Sequence, residues 1–360
     1  MKVCFISLKS YHLFNPKIKH SFGGAEVQIY LLCKELQKEK NIDLNVLVAD
    51  FNQNNLEVYN NIKIWKSLHL KRDLIIQIYK FLKVFHKINA DVYIQRTLTM
   101  YTGFIALYCK ITKKKFIYMV SHDAEVDSSK IFYNKNLKNL NLKLISKFSS
   151  HIIVQNDFQF QELFQKNINS TLIKSSIELN NKYKVDTPLK KYILWVGRSE
   201  NWKEPELFLE VVANFKFLNF VMICPKAINN PSLFEKIKKK SAIYPNLKFI
   251  SYVPYDEIED YFSKASLFIN TSKKEGFPNT FLQAGKFKVP IISLNVNPND
   301  FINQYKCGIY CQGKFDKLIK AIDLLEKNKL LYKLYSNKIF EYVKQNHCSH
   351  KNSKLLLKLL

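Results

Sequence analysis

Short runs of β-branched and aromatic residues alternate with stretches of helical periodicity along almost the whole chain, the arrangement of βαβ units built on parallel sheets. In the first half the extended runs are Lys2–Leu8, Asp43–Ala49, Ile62–Lys66, Asp91–Gln95, Lys115–Val120, His151–Gln155 and Thr171–Lys174. Helical patterns fit Gly24–Gln37, Asp73–Lys87, Tyr101–Ile111, Asn136–Lys147 and Asp157–Gln165. A polar, aperiodic stretch containing Pro188 then reads as a linker, residues 176–191. The alternation restarts with strands over Tyr192–Val196, Phe220–Cys224, Leu247–Ile250, Leu267–Ile269 and Val289–Ser293, and two further helices fit Phe315–Gln345. The pattern predicts two α/β domains in tandem, residues 1–175 and 192–340, with a helical segment over 341–360.

At 360 residues the chain is long enough for two such domains. Its best apolar run, Met100–Cys109, stops at Lys110, well short of the roughly 18 residues that span a bilayer. The opening MKVCFISLKSYH is too short and too soon charged for a signal peptide, so a cytoplasmic location is expected. Seven cysteines without CxxC pairs point to reduced thiols. The 56 Lys+Arg against 30 Asp+Glu give a formal charge of +26, yet only Arg72, Arg96 and Arg198 are arginine. Nucleic-acid readers exploit arginine's planar fork, so charge alone supports only a remote nucleic-acid-binding reading, and no such partner is expected. The excess over residues 51–150 leaves two readings open: a solvated face, or a surface that settles on anionic lipid at the inner face of the cytoplasmic membrane. The same choice applies to the Asp73–Lys87 helix, with Lys80, Lys83 and Lys87 on one side.

In open parallel sheets ligands bind outside the carboxyl ends of strands, and four strand-to-helix loops carry unusual residues. Glycine is scarce, eight against roughly 25 at average usage, so the Gly23-Gly24 doublet opening a helix stands out as a place of close backbone approach. It is not a GxGxxG dinucleotide loop. Ser121–Glu125 sets His122 and two carboxylates, Asp123 and Glu125, at the end of an apolar strand, suited to acid–base work or to sugar hydroxyls. No second histidine stands at metal-ligand spacing. The loop Gly197–Pro205 holds Arg198 and Lys203 before a helix, a pair fit for a diphosphate; the plainer reading is a surface ion pair with Glu200 or Glu204. Finally, Ser272–Thr280 combines Glu275 with a sharp turn through Gly276 and Pro278, and Asn279 is the expected N-cap. A carboxylate beside a helix start suits a ligand that is part sugar, part phosphate.

Four blocks, GGAE at Gly23–Glu26, SHD at Ser121–Asp123, VGR-x4-K at Val196–Lys203 and EGFPNTFLQA at Glu275–Ala284, together resemble glycosyltransferase family 4, the retaining glycosyl transferases group 1. The resemblance implies the GT-B fold: two Rossmann-like domains facing across a cleft, acceptor domain first and nucleotide-sugar domain second, with the C-terminal helix returning to the N-terminal domain. It implies that Arg198 and Lys203 neutralise the donor diphosphate, that Glu275 contacts the donor sugar, and that Gly276, Phe277, Pro278, Asn279 and Thr280 hold sugar hydroxyls and phosphate. His122 matches the histidine near the sugar's reacting face, with Asp123 beside it, and Gly23 and Gly24 line the acceptor and phosphate side. Two positions depart from the family pattern. Gln283 replaces the second acid of an E-x7-E element, where the nucleotide ribose binds, and Glu204 replaces the glycine that usually follows the lysine.

The implied activity is metal-independent transfer of a hexose or N-acetylhexosamine from a UDP- or GDP-linked donor to a hydroxyl of a glycan, itself lipid-linked, in surface polysaccharide biosynthesis. No metal or other cofactor is expected. A non-catalytic, glycosyltransferase-like accessory subunit is the alternative that Gln283 and Glu204 keep open.

Overall fold

The computed structural model describes residues 1–15, 17–18, 23–68, 74–127, 135–179, 191–227 and 230–360. Ser21, Phe22, Asp73 and most of the expected linker lie outside the described residues. The chain divides into two compact units, Met1–Ser176 with Ser349–Leu360, and Ile177–Cys348.

The first unit is built on an eight-stranded sheet: β1 (Lys2–Ile6), β2 (Asp43–Val48), β3 (Leu56–Tyr59), β4 (Ile62–Lys66), β5 (Val92–Arg96), β6 (Lys115–Met119), β7 (His151–Val154) and β8 (Thr171–Leu172). Their order across the sheet is β3-β4-β2-β1-β5-β6-β7-β8. Only β3 runs antiparallel, joined to β4 through Asn60 and Asn61. Both asparagines have positive φ, 47° and 64°, as a tight hairpin turn requires. The helices are α1 (Tyr11–Phe14), α2 (Gly24–Leu36), α3 (Leu74–Ile88), α4 (Thr102–Ile111), α5 (Lys135–Phe148) and α6 (Asp157–Phe164). The central strands are buried almost without interruption, as strands covered on both faces must be. In α3, Phe81, Phe85 and Ile88 go under and Lys83 and Lys87 stay exposed, the packing of a helix that covers a sheet.

The second unit carries a wholly parallel sheet ordered β11-β10-β9-β12-β13-β14, from β9 (Tyr192–Val196), β10 (Phe220–Ile223), β11 (Leu247–Ile250), β12 (Ala265–Asn270), β13 (Ile291–Ser293) and β14 (Gly308–Tyr310). Its helices are α7 (Pro205–Asn214), α8 (Pro231–Ser241), α9 (Ile258–Lys264), α10 (Asn279–Lys286), α11 (Phe301–Gln304), α12 (Phe315–Lys327) and α13 (Lys329–Asn346). The last helix, α14 (Ser349–Leu357), belongs to the first unit. There it buries Leu356 in the cluster containing Leu32 and Leu36, while Asn352 Nδ2 donates to Lys174 O at 2.9 Å.

Both sheets reverse direction once. In the first unit the strand order turns back between β1 and β5, in the second between β9 and β12. At such a switch point the loops leaving two neighbouring strands part to opposite faces and open a crevice. All seven cysteines are free thiols, six of them buried. No helix among the described residues is long and apolar enough to cross a membrane.

Candidate functional site

The switch point of the second unit brings together the two loops that the sequence singles out, Gly197–Pro205 after β9 and Ser272–Thr280 after β12. Gly197 turns the chain where a Cβ would stand 2.9 Å from the Trp195 ring and 3.5 Å from the Lys203 stem. The loops are stitched by polar contacts. The Trp195 indole donates to Thr271 Oγ1 at 2.9 Å, and that hydroxyl donates to Lys203 O at 2.8 Å. Lys273 N–H donates to Trp202 O at 2.8 Å. Across the seam Lys203 Nζ lies 2.7 Å from Glu275 Oε1 and 4.4 Å from the Trp202 ring centroid. The ion pair is well shielded, its side chains 14% and 11% exposed.

Glu275 is held from its own side as well. Asn270 Nδ2 at 3.1 Å and Ser272 Oγ at 2.7 Å donate to the same Oε1 that meets Lys203. No described residue donates to Oε2, so one carboxylate oxygen is anchored and the other is open to a ligand. Arg198 is looser, its side chain 39% exposed and its guanidinium 3.9 Å from Glu200 Oε1. The expected ion pairing is therefore found for Arg198 but not for Lys203, whose partner is Glu275.

Two local expectations are corrected. Asn279 is the first residue of α10 rather than its cap; Pro278, extended at ψ 124°, is the N-cap and offers no side-chain acceptor. The helix thus starts without a side-chain cap, a favourable place for an anion or a hydroxyl oxygen. Thr280 and Gln283 follow on one face of that helix, both half-buried. The second correction concerns Glu204, which adopts the left-handed conformation (φ 48°, ψ 55°) just before Pro205. Its carboxylate pairs with Lys273 at 3.0 Å and so adds little net negative charge. A left-handed backbone costs a non-glycine residue roughly 1 kcal/mol, more than an exposed ion pair returns. Glu204→Gly should raise the melting temperature, by about 0.5–1 kcal/mol of stability; an unchanged or lower value in a thermal melt would contradict this account.

In the first unit, His122 caps a single 3-10 turn, Asp123–Glu125, its Nδ1 accepting from Ala124 N–H at 3.1 Å. That contact places the proton of the neutral ring on Nε2. Glu125 is used inside the loop, as the acceptor that holds it together. It is fully buried, accepting from the Tyr118 and Ser121 hydroxyls at 2.5 Å each and from the His122 N–H at 3.1 Å. Burial pushes its carboxyl above the usual range, against the pull of these hydrogen bonds. Asp123 Oδ1 accepts from Asn156 Nδ2 at 3.0 Å and Gln159 Nε2 at 2.9 Å. Gln155 ties the loop to β5 and the strand end at Ser175, taking hydrogen bonds from Arg96 (2.8 Å) and Ser175 (2.6 Å) and donating to Ser121 O (2.6 Å). Burial lowers the Arg96 guanidinium to about 10. At the start of α2, Gly23 N–H donates to Glu26 Oε2 at 3.0 Å, so the last letter of GGAE is a capping carboxylate that occupies part of the helix start.

A model described as glycosyl transferases group 1 matches residues 179–343, which lie inside the second unit. The C-terminal unit is a glycosyl transferases group 1 domain. The chain is also 24% identical over 238 residues to the capsular polysaccharide biosynthesis glycosyltransferase CapH of Staphylococcus aureus, covering 63% of this chain and 66% of that protein. It spans between about half and two thirds of the length of the curated relatives it matches. Among solved structures, sucrose-phosphate synthase from Thermosynechococcus elongatus superposes with a TM-score of 0.80 at 13% identity, over 99% of this chain and 98% of that one. Anabaena HepE in complex with UDP-glucose gives 0.75 at 13% identity over the full length of both. The fold is GT-B.

Asn270, Thr271 and Trp195, which help build the site in the group 1 domain, fall outside the loops that the sequence singles out, and Ser272 stands there only as the first residue of its loop. Asn270, Thr271 and Ser272 look like an ordinary polar strand end, yet they supply two donors to Glu275 and the hydroxyl that fixes Lys203. Trp195 reads as core and acts also as the donor at the base of that chain. The shared feature, short polar side chains directly after a buried strand, would have marked Asn270 and Ser272 as candidates.

Proposed function

We propose that the chain is a retaining glycosyltransferase that moves a hexose or N-acetylhexosamine from a nucleotide-sugar to a hydroxyl of a glycan, itself lipid-linked, in surface polysaccharide synthesis. The observation that carries this reading is the Lys203–Glu275 pair at the switch point of the group 1 domain, beside the uncapped start of α10. A cation for phosphate, a carboxylate oxygen for a sugar hydroxyl and a helix start without a side-chain cap are together what a nucleotide-sugar needs. The complex of HepE with UDP-glucose supports a UDP-linked donor, and the likeness to CapH supports a polysaccharide acceptor.

In this reading Arg198 and Lys203 take the charge that builds on the diphosphate as the anomeric C–O bond breaks. The bonding pair stays with the diphosphate oxygen. The acceptor hydroxyl oxygen bonds to the anomeric carbon on the face the diphosphate leaves, and its proton passes to a diphosphate oxygen. Glu275 Oε2 and the N–H groups of Gly276, Phe277, Asn279 and Thr280 hold the sugar and phosphate, with Pro278 shaping the turn. Gln283 offers an amide to the ribose hydroxyls. In the first unit, His122 Nε2–H is the group assigned to the sugar side, steadied by Asp123's loop contacts, and Gly23 and Gly24 are assigned to the acceptor.

Thermal stabilisation across UDP-, GDP-, ADP- and CDP-sugars tests donor binding and chooses among donors. A rise with one nucleotide only is expected; none with any would sink the reading. Activity is expected to survive EDTA, because the positive charge comes from the protein, and loss of turnover restored by a divalent cation would remove the metal-independent part. Arg198→Ala should lower transfer roughly tenfold, about 1.4 kcal/mol. The accessory-subunit reading draws on Gln283 and Glu204 and predicts donor binding without turnover on any acceptor.

A further inference from the structure

Phe277, inside the loop that bears Glu275, does not point a free ring at a ligand. It is enclosed by Phe301 (centroids 5.3 Å apart), Phe281 (6.4 Å), Tyr342 (6.4 Å) and His347 (4.6 Å). Of these, His347 makes the shortest approach. It is 1% exposed, directly follows α13, and its Nε2 lies 3.2 Å from the Tyr342 hydroxyl.

The position of His347 along the chain is equally particular. The chain leaves the first unit after Ser176 and returns to it at Ser349. Within the second unit these two passages are fastened to each other: Ile177 N–H donates to His347 O at 2.8 Å, and Ile177 and Cys348 form a parallel bridge. His347 therefore holds the paired passages with its backbone and the Phe277 ring with its side chain. Only Gly276 separates Phe277 from Glu275.

From this arrangement we infer that His347 is a positioning residue: it locks the Phe277 loop, and through it Glu275, to the place where the chain passes between units. Its role in turnover rests on the donor reading above; its role in ordering the loop does not. Hydrogen exchange and kinetics on the full chain test the two parts separately. In His347→Ala, amide exchange over residues 276–281 should quicken at least about tenfold while α7 stays within about threefold of wild type. The donor KM should rise about tenfold with the acceptor KM within twofold, and His347→Phe, which restores the ring, should recover most of both. A residue that merely fills the core would instead speed exchange throughout the unit, lower the folded fraction and leave both KM values unchanged, and that result would overturn the inference. So would wild-type exchange over 276–281. Should the alanine variant not fold, His347→Leu supplies the volume without ring or hydrogen bond and carries the same expectations. If the wild-type protein binds no nucleotide-sugar, the donor reading fails, and exchange alone decides whether His347 orders the loop.

Discussion

Replacing Lys203 by alanine is expected to lower kcat/KM for transfer about 100-fold, roughly 2.7 kcal/mol of transition-state stabilisation. The effect should exceed that of Arg198→Ala because the two cations are held differently. Lys203 is fixed before the donor arrives: its carbonyl accepts from Thr271, its ammonium sits 2.7 Å from Glu275 and its stem lies beside Gly197 and Trp202. A charge already in place does not reorganise when the leaving group develops its own. Arg198, more exposed and only 3.9 Å from Glu200, must be drawn in. Steady-state rates with the donor chosen by thermal stabilisation supply the test. Equal losses in the two variants would contradict the preorganisation argument, and wild-type rates in both would remove the diphosphate assignment.

Gly308→Ala should be the most damaging small substitution for stability. A Cβ there would overlap the Ile291 carbonyl oxygen and come within 3.1 Å of its carbon and 3.2 Å of its nitrogen. These are main-chain atoms of the neighbouring strand, so no side chain can turn aside, and β14 must slip from its ladder with Ile291–Ser293. The cost is expected at about 3 kcal/mol, the upper end for overpacking, and the melting temperature should fall by roughly 6–12 °C for a unit of this size. Gly285→Ala makes the comparison. There the nearest atom is Val343 Cγ2, the end of a side chain, although the Ile339 carbonyl oxygen stands at 3.1 Å. Alanine gains about 1 kcal/mol in a helix, so the net loss should be smaller than at Gly308. A milder effect at Gly308 than at Gly285 would show that the strand yields where the helix does not.

Both sheets were legible in the alternation of buried strands with helices, because strands covered on two faces leave long apolar runs. The hairpin strand Leu56–Tyr59 was not, since it lies at an edge with alternate residues exposed and its turn is Asn60-Asn61 rather than a pair containing glycine. β14 was missed as well, being only three residues long after Cys307. At the site, residue types and loop positions could be read, and the resemblance added roles to them. The partnership of Lys203 with Glu275 could not, because 72 residues separate them and only the strand order makes β9 and β12 neighbours. The same limit hid the function of Glu204's position: a missing glycine in a motif says that the backbone is unusual there, but only the φ angle says which way.

The Lys203–Glu275 pair also bears on which guests the site would refuse. With ammonium and carboxylate already satisfying one another, the pair itself carries little net charge, and a solitary inorganic anion must compete with a carboxylate that three donors hold in place. A molecule carrying pyrophosphate and carbohydrate side by side offers a substitute companion to each half of the couple at once. Discrimination of this kind arises from two opposite charges held side by side, each of which a bifunctional guest engages while the couple stays together.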